Sequence, residues 1–332
     1  MKLPRLLRNT ATLLILLPSL AAQAATPDWV QTPPQRPGFV FGVGAADLSL
    51  GYAEASEAAK LSARNEIAST LKLQVGSELT LNNVSDETGS RSTFNNNIRI
   101  RVPDIALSDI RIVESREVTE HNTLYSLAEL DLNAAASRVA QEIRTLLADA
   151  PRTGVSGDLS SQLRQHYQSM LNELQYTSLL QQYRLLGGKQ TFDDSAITQR
   201  AEQGAQFFEQ LLIQLDARDE LSTGIASNIA AELARRGLRT SASGDKASLQ
   251  LQLQSSSRQM ARNNAFYCNI KTNATLSTQG QTLSASSRSA KSVSGDSDLA
   301  CQKAGEKVAA LISRELMENF WKTLNSPQPK QN

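Results

Sequence analysis

The chain has 332 residues, 40% of them hydrophobic, enough for two modest domains with cores of their own. Its 34 Lys and Arg nearly balance 33 Asp and Glu, so it lacks the basic surplus with which a nucleic-acid binder displaces counterions. Aromatic residues make up 5%, too few for a platform that stacks single-stranded bases.

The first stretch sets the compartment. Lys2, Arg5 and Arg8 precede an apolar run, Leu13-Leu14-Ile15-Leu16-Leu17 through Leu20, and Ala22-Gln23-Ala24 supplies the small residues that signal peptidase reads. The run is shorter than the roughly 20 residues a membrane-spanning helix needs. Residues 1–24 therefore read as a cleaved signal peptide, cut between Ala24 and Ala25, with no Cys after the run to accept a lipid. The expected product is a periplasmic chain with no transmembrane segment. Its net charge is −2, because the signal holds three cations and no acid.

Residues 25–38 are rich in Pro and should run extended. Residues 38–46 then predict a short strand ending in a glycine turn at Gly42-Val43-Gly44. An Ala-rich helix follows over Tyr52 to Leu73. Its stripe Ala55, Ala59, Ala63, Ile67 and Leu71 faces inward, with Glu54, Lys60, Arg64 and Lys72 on the wet side. Beyond it the period falls to two. Ile98, Ile100 and Val102 alternate with Arg99 and Arg101, and Ile110 and Ile112 with Asp109 and Arg111. Leu124, Ala128, Leu130 and Leu132 share one face of the segment from Asn122. These are half-buried antiparallel strands, and a helix from Ala134 to Ala148 closes an α+β domain over 25–150.

Pro151 to Asp158 reads as a linker. Residues 159–186 and 195–215 are helix-forming and broken at Gly187-Gly188, giving a helical connector over 151–219. It is either a hairpin or stalk between domains or two ordinary helices packed on their neighbours. A second α+β domain occupies 220–325. It opens with a helix from Leu221 to Arg236 that ends at Gly237. The strand Leu249, Leu251, Leu253 alternates with glutamines, and Cys268, Ile270, Ala274 and Leu276 share the inner face of the next. The last helix begins at Cys301 and carries the stripe Ala304, Val308, Ile312, Leu316 and Phe320. In an oxidising compartment Cys268 and Cys301 should form a disulfide, worth about 3.8 kcal/mol of loop-closure entropy, that staples this helix to the sheet. Residues 326–332 read as a disordered tail. The fold class is thus α+β, two helix-on-antiparallel-sheet modules joined by a helical connector.

Little in the chain carries chemistry. His121 and His166 fall in different domains, so neither a triad nor a zinc site can be assembled from both. Asp193-Asp194 reads as an N-cap and first-turn pair rather than a cation site. Gly42-Val43-Gly44 lacks the third glycine of a dinucleotide loop, since Asp47 stands there. Arg99 and Arg101 read as a solvated strand face, and Trp29 and Trp321 as packing anchors. No catalytic, metal or cofactor-binding residue is predicted, and the chain reads as non-enzymatic.

Several segments in order resemble the Lpp-twenty family of envelope proteins. They are Pro27-Asp28-Trp29-Val30, Gly42-Val43-Gly44-Ala45-Ala46, Ala58 to Leu79, Ser108 to Glu114 and Leu124 to Asp131. The resemblance covers about residues 27–148 and implies a small α+β module. Members are typically outer-membrane lipoproteins, and the flagellar P and T types look like parts of rings around the motor. The layout of the second unit is similar to a small domain of the flagellar T protein and of the TolB type. The resemblance implies a periplasmic structural or assembly protein, peripheral to the outer membrane. Its implied partners are envelope proteins, extending to flagellar basal-body components and to copies of itself, with no cofactor. The alternative is a regulatory binding module that docks onto a peptidoglycan-synthesis or secretion machine.

Overall fold

The computed structural model describes residues 26–79, 109–149, 155–241 and 247–326. The export signal with its Ala24–Ala25 cut lies outside the described residues. So do the strand expected around Ile98 to Val102, Pro151 to Gly154 of the linker, and the tail beyond Ser326. The described residues fall into two compact units, one of 26–69 with 110–130 and one of the rest. Both combine helices with sheet, and the fold is α+β. The segment expected as a connector belongs to the second unit, as does the helix after residue 131.

In the first unit, α1 (Asp28–Gln31) leads to β1 (Phe39–Asp47), and a 3₁₀ turn at Leu48–Leu50 leads to α2 (Tyr52–Leu79). The helix runs on past the expected Leu73, and its single Gly76 costs only about 1 kcal/mol against Ala. Ala55, Ala59, Ala63, Ile67 and Leu71 are all buried, the inward stripe read from their spacing. The glycines of β1 correct the sequence reading, because Gly42 and Gly44 lie within the strand and not in a turn. A Cβ at Gly44 would meet the backbone of Ala59 and Ala63, and one at Gly42 the backbone of Ala63, well inside van der Waals contact. Strand and helix approach so closely that the strand can carry no side chain there. The chain reverses instead at Gly51, where φ is +92°.

β2 (Arg111–Val118) and β3 (Thr123–Asp131) pair antiparallel, and β3 lies between β1 and β2. A bulge between Ile112 and Glu114 turns Val113 outward. As the middle strand, β3 buries Leu127 and Glu129 as well as Leu124, Ser126, Ala128 and Leu130.

The second unit opens with α3 (Leu132–Asp149), which packs on α4 (Leu159–Leu185), and α4 packs in turn on α5 (Ser195–Gln210). Asp158 starts α4 by accepting from the Ser161 amide at 2.8 Å, and Gly187, at φ +82°, ends it. The helix expected to reach Leu215 stops at Gln210. Residues Leu212–Ala217 form β4, because Ile213 and Leu215 alternate with Gln214 and Asp216 and suit a strand covered on one side. Then follow α6 (Glu220–Ala234), β5 (Arg239–Ser241), β6 (Leu249–Arg262), β7 (Ala265–Thr278), β8 (Gln281–Ser294) and α7 (Ser297–Asn325).

These strands make one sheet in the order β5-β4-β6-β7-β8. It is mixed, not wholly antiparallel. β4 is parallel to both β5 and β6, and α6 is the crossover that parallel neighbours need. Helices α6 and α7 pack on the sheet. One core joins Leu251, Leu253, Ile270 and Leu276 of the strands to Ile229 of α6 and Val308, Ile312 and Phe320 of α7, and it takes in Leu163, Tyr167 and Phe208 of α4 and α5. The α7 helix begins at Ser297, a turn before the expected Cys301, because Asp296 caps it through the Leu299 amide at 2.8 Å.

Candidate interaction surface

The longest strands among the described residues, β6, β7 and β8, form an antiparallel meander. Two-residue turns set its register. Asn263-Asn264 and Gln279-Gly280 all have φ between +47° and +81°, the left-handed pair that suits a twisted hairpin. Along β7 side chains alternate. Cys268, Ile270, Thr272, Ala274 and Leu276 are buried inward, while Asn269, Lys271 and Asn273 point to solvent. Cys268 is bonded to Cys301 of α7, with Cα atoms 5.0 Å apart, so helix and sheet are covalently joined near the Asn263-Asn264 end.

The outward face has an unusual composition. No Asp or Glu stands between Asp245 and Asp296, while Arg258, Arg262, Lys271 and Lys291 stand on the outward side and Arg288 on the inward side. Register aligns Met260, Tyr267 and Val293 in one row across the three strands, and Arg258, Asn269 and Lys291 in the next row back. The Lys291 ammonium sits 4.8 Å from the centre of the Tyr267 ring. Around the free edge of β8, Tyr267, Lys291 and Val293 share an open cleft of about 400 Å³ with Lys303 and Lys307 of α7. At this end large apolar side chains are also exposed, Met260 by 56%, Val293 by 50%, Leu299 by 40% and Phe266 by 37%.

Several charges elsewhere are committed to structure. Glu129, buried in the first unit, accepts from Arg36 at 3.1 Å and from Arg111, and the Arg36 guanidinium lies 3.2 Å from the centre of the Phe39 ring. Arg138 holds Asp109 at 2.9 Å. Glu315 accepts from Arg288 at 2.7 Å and from the Ser286 hydroxyl. The Ser286 bond leads the effects that hold this carboxylate below the usual range. Asp219 accepts from the Ser222 amide at 2.7 Å, the Ser222 hydroxyl at 2.6 Å and the Ser255 amide at 3.0 Å. Partial burial pushes its carboxyl up, but these bonds outweigh that and leave it below the ordinary value. By contrast Arg258, Arg262, Lys291, Lys303 and Lys307 have no carboxylate partner among the described residues.

The remaining sequence candidates do not gather into a site. His121 lies in the 3₁₀ turn between β2 and β3, and His166 lies on α4, stacked on Phe207 at 4.2 Å and held below its ordinary pKa by burial. Among the described residues no group of His, Cys, Asp and Glu is placed to hold a metal ion. The reading of Asp193-Asp194 is corrected in detail. Asp193 accepts from the Ser195 amide at 3.2 Å, whereas the Asp194 side chain turns to the Tyr176 hydroxyl, which burial and that bond push up to about 12. Trp321 stacks on Tyr167 at 5.3 Å and meets Phe208 at 5.4 Å, a packing anchor. Trp29 is half-buried, and its indole nitrogen has no partner among the described residues.

Sequence reasoning missed β8 and with it the cationic end. The signal was present as the acid-free stretch and as two turn pairs spaced by equal strands, but β8 (QTLSASSRSAKSVS) has few large apolar residues to betray a strand.

No family model matches the chain, and no curated protein matches it in sequence. Among solved structures, it is similar at 12% identity to the secreted protein HP1454 of Helicobacter pylori, over 87% of this chain and 97% of that one, with a TM-score of 0.40. A minor lipoprotein of Acinetobacter baumannii shares 12% identity over 34% of this chain and 92% of its own, at a TM-score of 0.27. Lipoprotein GNA1162 of Neisseria meningitidis shares 14% over 31% and 95%, at 0.23. Likeness at this level carries no function, and the resemblance to the Lpp-twenty family rests on the residues quoted above.

Proposed function

We propose that this chain is an exported, non-enzymatic protein of the cell envelope that works by docking, with the β6–β8 meander as its docking surface. The observation that carries the reading is the set of cations without a carboxylate partner that gather at one end of an acid-free sheet. Unpaired surface charge of one sign steers and selects a partner more than it stabilises a fold. The export signal read from residues 1–24 supports work in the periplasm. The disulfide that fixes α7 behind the meander supports both the compartment and the rigidity a docking surface needs. The finer reading is a structural or assembly role among envelope proteins, extending to the flagellar basal body and to self-association.

Deleting the gene and scoring swimming beside cell-wall integrity tests this. Loss of swimming with normal cell shape is the expected result for the assembly reading. Lysis or antibiotic sensitivity with normal swimming would favour the regulatory module on a peptidoglycan-synthesis or secretion machine. Wild-type behaviour in both assays would contradict an envelope role.

A further inference from the structure

We infer that the Asn263-Asn264 end of the meander rests on the surface of an anionic lipid bilayer; this builds on the docking reading and names what the surface meets. Two features converge there. Met260, Phe266, Val293 and Leu299 are exposed at one end of one unit, on both faces of the hairpin. Ser297 donates to Gln259 at 3.3 Å, which ties the start of α7, and with it Leu299, to that hairpin. Arg258 and Lys291 stand two residues behind the Met260 row, Arg262 stands at the turn itself, and Lys303 and Lys307 continue the i, i+4 stripe that Leu299 begins. Of the acids nearby, Asp296 is occupied as the helix cap and Glu306 accepts from Gln302 at 3.2 Å, leaving Asp298.

Apolar side chains close to the turn, with one cation at the turn and others just behind, match a bilayer interface in depth, the long Arg262 stem letting its guanidinium reach back to the headgroups. The side chains that water disfavours enter the acyl boundary while the ammonium and guanidinium groups reach the headgroup phosphates. A free phosphate would satisfy the lysines and leave four large apolar groups in water. An acidic protein surface would not account for apolar exposure on both sides of the hairpin tip. The chain has no helix among the described residues that is long and apolar enough to cross a membrane, so contact of this kind is peripheral and reversible.

The test is flotation of the full chain, purified without its signal, with vesicles containing phosphatidylglycerol and with vesicles of phosphatidylcholine alone. Binding is expected only to the first. It should weaken as salt rises from about 0.1 M to about 1 M, which shortens the screening length from about 10 Å to about 3 Å. Inorganic phosphate matched to the lipid phosphate should leave it unchanged. Lys303→Ala with Lys307→Ala should weaken it about 25-fold, about fivefold per cation. Met260→Ser with Phe266→Ser should weaken it about tenfold, and Leu61→Ser in the first unit should have no effect.

Equal binding to both vesicles, no binding to either, displacement by inorganic phosphate, or indifference to both paired variants would each overturn the inference. Circular dichroism checks that the variants fold. If one does not, the lipid and salt response of the unaltered chain and the single change Lys291→Gln decide. Failure to bind lipid, with a deletion phenotype that these same changes still fail to rescue, would sink the bilayer and leave the docking surface standing. Full rescue would sink both.

Discussion

At the scale of single residues, the hardest constraint is the absence of a side chain at Gly44. An added Cβ meets the backbone of α2 and not a flexible side chain, so relief requires helix and strand to part. Gly44→Ala should therefore cost about 3 kcal/mol, the upper part of the overpacking range, measured as a shifted urea midpoint for the first unit. A loss under about 0.5 kcal/mol would show that α2 and β1 are not in contact there. Asp219 offers a different test because it titrates. Its carboxylate caps α6 and also holds the Ser255 amide of β6. Asp219→Ala should cost about 2 kcal/mol at neutral pH. A carboxylate held below its unfolded value stabilises above that value and loses the contribution as pH falls through the folded one. The gap between wild type and variant should thus stay constant above about pH 4 and close as the pH drops further. A constant gap down to pH 2 would mean the bonds are not made by the ionised form.

At the scale of elements, what was legible depended on how much apolar contrast each one carries. The stripe of α2 and that of α7 were readable because their inward positions repeat at i+4 over many turns, and every named residue is buried. Strands β6 and β7 were readable from their alternating inner faces. Strand β4 was absorbed into the helix before it, since six residues following an amphipathic helix offer no separate period. β5, with three residues, offers still less. The glycines of β1 stand out in the sequence but their purpose does not, because sequence shows a glycine without showing what backbone lies across from it. The clustered cations were invisible for the same reason. Lys291 and Lys307 come together only when β8 is placed at the edge and α7 folds behind it.

Two element-level predictions follow from the meander. Gln279 holds a left-handed conformation, φ +47°, that Asn tolerates better, so Gln279→Asn should raise stability by about 0.5–1 kcal/mol in urea unfolding. Replacing Cys268 and Cys301 together with Ala should lower the stability of the second unit by about 2–4 kcal/mol. An unchanged denaturation midpoint would show that the bond does not constrain the unfolded chain.

For the whole molecule, the two units divide the work unevenly. The first buries Glu129 between Arg36 and Arg111 and commits Gly42, Gly44 and its inward alanines to close packing. The second buries a larger core behind a mixed sheet and leaves the far end of that sheet with unpaired cations and exposed apolar groups. In the proposed reading this end is where the protein meets its partner. The most direct measurement is rescue of a deletion strain by a chain carrying Arg258→Glu and Lys291→Glu, two exposed changes on the outward face that leave the core and the disulfide untouched. The account predicts that this variant is exported and folded at wild-type level yet fails to restore the lost phenotype, while the same reversals at Arg116 and Arg239 restore it fully. Full rescue by Arg258→Glu with Lys291→Glu would contradict the assignment of the meander as the docking surface.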